Sequence, residues 1–128
     1  MSRLVIGGAN FNQKYGINNT RLHEKDLFEI LKSKKVKFID TSFEYNQNKR
    51  FLNKFNLKNY KIITKVKLPN KKKKYYLKKI KYKILDYIKL KKIKKFEAVL
   101  FHNVDDLKNK YGLELLSILK SLKDKNVI

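Results

Sequence analysis

A chain of 128 residues with 42% hydrophobic residues, eight Phe and eight Tyr carries the apolar content of one globular core, which excludes a disordered protein and leaves no room for two full-sized domains. Its formal net charge of +22 makes polyanions attractive partners by counterion release, whereas the absence of Cys excludes a disulfide framework, a thiolate metal site and a cysteine nucleophile, and suits the cytoplasm. No apolar run approaches the roughly 20 residues of a membrane helix, so no membrane partner is expected.

Leu4-Val5-Ile6 is a short β-branched run stopped by Gly7-Gly8, the pattern of a buried strand ending in a tight turn. From Leu22 the apolar positions Leu27, Ile30 and Leu31 recur at helical spacing, with Glu24 and Asp26 in the first turn and Lys32, Lys34 and Lys35 at the end. That charge order is the one a helix dipole favours. Val36, Phe38 and Ile39 predict a second strand closed by Asp40 and Thr41, and polar Asn46 to Asn56 predicts a short helix. Tyr60 to Val66 predicts a third strand, with Pro69-Asn70 breaking the pattern. Lys71 to Lys95 holds thirteen Lys, yet Leu77, Ile80, Ile84 and Ile88 form one stripe with Tyr76 and Tyr87 beside it, as in an amphipathic helix. Phe96 to Phe101 is a fourth apolar run ending at His102-Asn103, and Gly112 to Leu122 predicts a last helix through Leu115, Leu116, Leu119 and Leu122. A fifth strand would begin at Val127-Ile128.

Four βα units in succession mean an α/β fold with a parallel sheet and right-handed crossovers. Two architectures satisfy the pattern: an open doubly wound sheet, or half of a closed (β/α)8 TIM barrel, whose full length is about 250 residues. No Gly/Ser linker or internal repeat divides the chain, so residues 1–128 form a single domain.

In either architecture, functional groups gather at the C-terminal ends of the strands. Strand two ends in Asp40 with Tyr45 in the following loop, strand three ends at Thr64-Lys65, and strand four ends at His102. Their chemistry fits together. A tyrosine hydroxyl is a weak acid near neutrality unless a cation stabilises its phenolate, and Lys65 can supply that charge. Asp40 would hold Lys65 in place, and His102 could orient a substrate oxygen. The set suits proton donation to a carbonyl oxygen as hydride arrives at its carbon, which needs an external donor such as a nicotinamide.

Leu4-Val5-Ile6-Gly7-Gly8-Ala9-Asn10-Phe11 followed by Lys14-Tyr15-Gly16-Ile17 resembles the first-strand signature of a bacterial branch of the aldo/keto reductases. Phe38-Ile39-Asp40-Thr41 with Tyr45, Ile62-Ile63-Thr64-Lys65 and Leu100-Phe101-His102-Asn103 are similar to that family's Asp, Tyr, Lys and His stretches, in order. The resemblance implies the N-terminal half of a TIM barrel, NADPH or less often NADH as hydride donor, and an aldehyde or ketone substrate. It makes Tyr45 the general acid, Lys65 the cation that eases proton release, Asp40 the anchor of Lys65 and His102 the carbonyl-orienting group. Gly8, Ala9 and Asp40 match positions at the nicotinamide end of the cofactor site. Gly8 and Asn12 stand where this branch more often shows Thr and Gly. The family's adenosine and pyrophosphate contacts fall mostly on later strands, so a truncated chain with little or no reductase activity is expected. Self-association of half-barrels is one way to complete it.

The alternative reading is a basic nucleic-acid-binding protein on an α/β scaffold. Three of the 33 basic residues are Arg (Arg3, Arg21 and Arg50) and the rest are Lys, whereas base-edge and bidentate phosphate recognition favour Arg. The Lys are spread from Lys14 to Lys125, which fits compositional drift and no specific nucleic-acid partner. His23 reads as a surface residue at a helix start, and Gly7-Gly8 lacks the spacing of a dinucleotide fingerprint.

Overall fold

The computed structural model describes residues 4–10, 23–33, 35–45, 52–69 and 74–128. Strand β1 (Leu4–Gly7) is followed by a 3-10 turn (Gly8–Asn10), helix α1 (Glu24–Lys32) and strand β2 (Val36–Asp40). After a 3-10 turn (Leu57–Asn59) come strand β3 (Lys61–Val66), helix α2 (Lys74–Lys91), strand β4 (Phe96–Phe101), a 3-10 turn (Val104–Lys108) and helix α3 (Lys110–Asp124). All strand pairs are parallel and the sheet order is β1-β2-β3-β4. A doubly wound sheet would place β1 inside the order; here it lies at an edge, as a barrel segment requires.

The expected elements appear with shifted edges. Of the helix expected over Asn46 to Asn56, residues 46–51 lie outside the described residues, Leu52 and Asn53 are helical, and residues 54–56 are not. Asn12, the Lys14–Ile17 signature, Lys71–Lys73 and all three Arg also lie outside them. In α1, Leu27 and Leu31 are buried while Ile30 sits at the surface, and His23 is exposed at the N-cap.

One face of the sheet carries the core. Ile39, Ile62, Val66 and Phe96 project toward Leu27 and Leu31 of α1, Leu77 and Ile84 of α2, and Leu115 and Leu122 of α3, all buried together. Phe96 is the centre of an aromatic group, 5.5 Å from the Tyr87 ring and edge-on to Phe43 at 6.0 Å. Alternation along the strands sends the other residues to the opposite face. There Phe38 pairs with Lys61, whose ammonium lies 5.3 Å over its ring, while Val5 and Leu100 remain exposed. Phe38 is buried yet stands apart from the helix-side core.

The helix ends set where the next strands start. Lys92, after α2, and Asn126, after α3, take positive φ values of 52° and 57°. At α3 the Asn126 amide donates to the Lys123 carbonyl and the Val127 amide to the Leu122 carbonyl, the paired bonds of a Schellman stop. The reversal brings the Val127 carbonyl to accept from the Phe96 amide at 3.0 Å, so the chain meets the outer edge of β4 at its first residue.

Candidate active site

The strand ends are laced together by backbone bonds before any side chain takes part. The Thr41 amide donates to the Ile63 carbonyl (2.8 Å), the Phe43 amide to the Lys65 carbonyl (3.4 Å) and the His102 amide to the Val66 carbonyl (2.7 Å). Parallel pairing therefore continues past β2 and β4 and carries Asp40, Lys65 and His102 to the same end of the sheet.

On that framework Lys65 donates to the Asp40 carboxylate in a half-buried ion pair. The two residues reach each other because Asp40 registers with Ile63, two residues before Lys65 on the same face of β3. The Tyr45 ring lies edge-on to the His102 ring, with centroids 6.3 Å apart. Between the two pairs stands Ser42, whose hydroxyl is 3.4 Å from Nδ1 of His102 and donates to the Lys65 carbonyl at 3.5 Å. The contacts thus link two pairs, Asp40 with Lys65 and His102 with Tyr45, through Ser42 at one end of the sheet. Gly7 registers with Asp40, and a side chain at Gly7 would meet nothing within 4 Å. Gly8 is buried and Ala9 half-buried in the turn that follows.

Sequence reasoning passed over Ser42. A hydroxyl two residues past a strand-end Asp is an ordinary turn residue by sequence, and only the fold brings it to His102. Thr41, Ser42 and Thr64 are the buried polar residues among those described. Thr64, between Ile63 and Lys65, points into the helix layer, and its hydroxyl has no hydrogen-bond partner among the described residues. An unpaired buried hydroxyl is destabilising, so Thr64→Val should raise stability by about 1 kcal/mol. Urea unfolding of the two proteins measures this; a less stable valine variant would show that the hydroxyl is satisfied.

Neither a protein-family model nor a curated protein matches this sequence. The fold does have counterparts. Two solved structures of provisionally assigned aldo-keto reductases from Pseudomonas aeruginosa align over 99% of this chain, with TM-scores of 0.68 and 0.67 at 20% and 19% sequence identity. The alignments cover 53% and 52% of those proteins. The chain therefore has the fold of one half of an aldo/keto reductase barrel and spans about half the length of the structures it resembles. Among the described residues no helix is long and apolar enough to cross a membrane, and no group of His, Cys, Asp and Glu could hold a metal.

Proposed function

We propose that the chain is the N-terminal half of an aldo/keto reductase that reduces an aldehyde or ketone. The observation that carries this reading is the Asp40–Lys65 ion pair together with the Ser42–His102–Tyr45 contacts at the C-terminal mouth of a half-barrel. A bound NADPH, or NADH, supplies the hydride, with Gly8, Ala9 and Asp40 at its nicotinamide end. His102 orients the carbonyl oxygen. Tyr45 delivers its proton to that oxygen as the carbonyl carbon becomes a carbinol, and the Lys65 ammonium, held by Asp40, stabilises the phenolate left behind. Ser42 fixes the His102 ring through Nδ1, which leaves Nε2 for the substrate.

The four units here offer groups for the nicotinamide end of the cofactor, and the rest of the barrel must come from a further polypeptide segment or from a second half-barrel. Reaction demands a hydride donor held in a near-attack position, where a slight misplacement already costs much of the rate. The 128-residue chain alone should therefore bind NADPH weakly and oxidise it with an aldehyde only at background rate. Fusion to the second half of the Pseudomonas aeruginosa barrel should restore turnover, and Tyr45→Phe in the fusion should lower it by about 100-fold or more. A folded fusion that turns over equally well without the Tyr45 hydroxyl, or that binds NADPH and never turns over, would overturn the assignment.

A further inference from the structure

A cavity of about 990 Å³ lies away from the strand-end site, on the helix side of the sheet between α2 and the segment around Asn53–Asn56. One flank of α2 lines this groove. Its floor is aromatic and apolar: Phe43, Phe55, Tyr87 and Leu90. Leu90 is 78% exposed, an unusual place for a leucine on a Lys-rich helix. Its rim is cationic. Lys79, Lys83, Lys91 and Lys92 line it against the single carboxylate of Asp86, and Lys83 is engaged by Glu44 at 3.6 Å. Among the described residues no carboxylate pairs with Lys79, Lys91 or Lys92. Lys91 instead leans over the Tyr87 ring at 5.9 Å, and its desolvation there lowers its pKa.

We infer that this groove binds a small amphipathic anion, an apolar or aromatic body bearing one carboxylate, with the body on Phe43, Phe55, Tyr87 and Leu90 and the carboxylate at its Lys91–Lys92 end. The apolar floor removes the body from water, and the unpaired ammonium groups supply the charge-assisted bonds that fix its polar end. A polyanion would engage the rim lysines without needing the floor, which is what separates this site from bulk charge. The groove stands on the opposite layer from the strand-end site and is independent of the reductase reading.

The test compares 2-naphthoate with uncharged 2-naphthalenemethanol, which share one apolar body, by isothermal titration into the full chain. Naphthoate should bind saturably at one site and about tenfold more tightly than the alcohol. Leu90→Asp, a change at an exposed position that leaves the core intact, should weaken naphthoate by about tenfold or more. Lys91→Gln with Lys92→Gln should bring naphthoate down to the affinity of the alcohol, whereas Lys120→Gln with Lys123→Gln, the same charge change on α3, should leave it unaltered. Circular dichroism and thermal melting of each variant report that it is folded. Equal affinity for the two probes, non-saturating binding, or equal loss in both lysine pairs would overturn the proposal, the last by showing that net charge alone attracts the anion.

Discussion

Gly112→Ala is expected to remove about 3 kcal/mol of stability, at the upper end of what overpacking costs. Gly112 lies in the first turn of α3, capped by Asn109, whose side-chain oxygen accepts from the Tyr111 and Gly112 amides. The helix starts against the 3-10 turn before it so closely that a methyl group at Gly112 would lie 1.8 Å from the Asp106 carbonyl oxygen and 2.6 Å from its carbon. Both are backbone atoms, and no side-chain rotation relieves the overlap. The turn must move, and its movement breaks other bonds. The Asp106 carbonyl accepts from the Asn109 side chain at 2.9 Å, and the Asp106 carboxylate accepts from the Leu68 amide at 3.2 Å, just beyond β3. Against the 5–15 kcal/mol typical of a whole domain, a loss of about 3 kcal/mol is large. Denaturant unfolding of the two proteins measures it; a change under about 0.5 kcal/mol, the range of neutral surface substitutions, would show that the turn yields freely.

The second large effect is alkaline. Burial pushes the Tyr87 hydroxyl from its ordinary value of 10.0 up to about 12. A phenol is neutral while protonated, so the folded state keeps a proton that the unfolded chain releases from about pH 10 upward. The stability it protects is whole below pH 10 and falls as pH rises toward 12, by up to roughly 3 kcal/mol for a shift of two units. Tyr60 acts in the same sense, because burial also raises its pKa while its hydroxyl donates to the Leu31 carbonyl at 2.6 Å. Lys91, with a lowered pKa, acts in the opposite sense, and discharge of the other lysines relieves repulsion in the same range. The clean measurement is a difference. Tyr87→Phe should unfold in urea much as the parent does at pH 8 and show a flatter loss between pH 10 and 12. Parallel pH profiles for the two proteins would contradict this account of Tyr87.

Much of the architecture was legible in the residue pattern because each strand is a short β-branched or aromatic run and each helix carries a stripe. Leu77, Ile80 and Ile84 were enough to separate α2 from a solvated charge run, although its surface is mostly Lys, and all three are buried as that spacing requires. The choice between a doubly wound sheet and a barrel segment was not legible, since both produce the same periodicity and only the position of β1 in the sheet divides them. At the site, Asp40, Tyr45, Lys65 and His102 were legible as strand-end polar residues. The link between Ser42 and His102 was not, because it joins residues 60 apart in sequence. The same holds for Gly112, where the sequence shows a glycine in a helix and only the packing shows which backbone it must clear.

The strand order also has a consequence for how the chain assembles. Each strand pairs with the one synthesised just before it, β2 on β1, β3 on β2 and β4 on β3, so no strand waits for a distant partner. A ribosome working at 5–20 residues per second takes roughly 2–6 s to make a βα unit of about 30 residues, while local helix formation takes microseconds or less. Folding can therefore keep pace with translation, each unit docking on the edge the previous one has just exposed. The growing edge is always the newest strand. At any moment the nascent sheet then has one fresh edge near the exit tunnel and one fixed edge, β1, and Val127 lies where the next rung would be added.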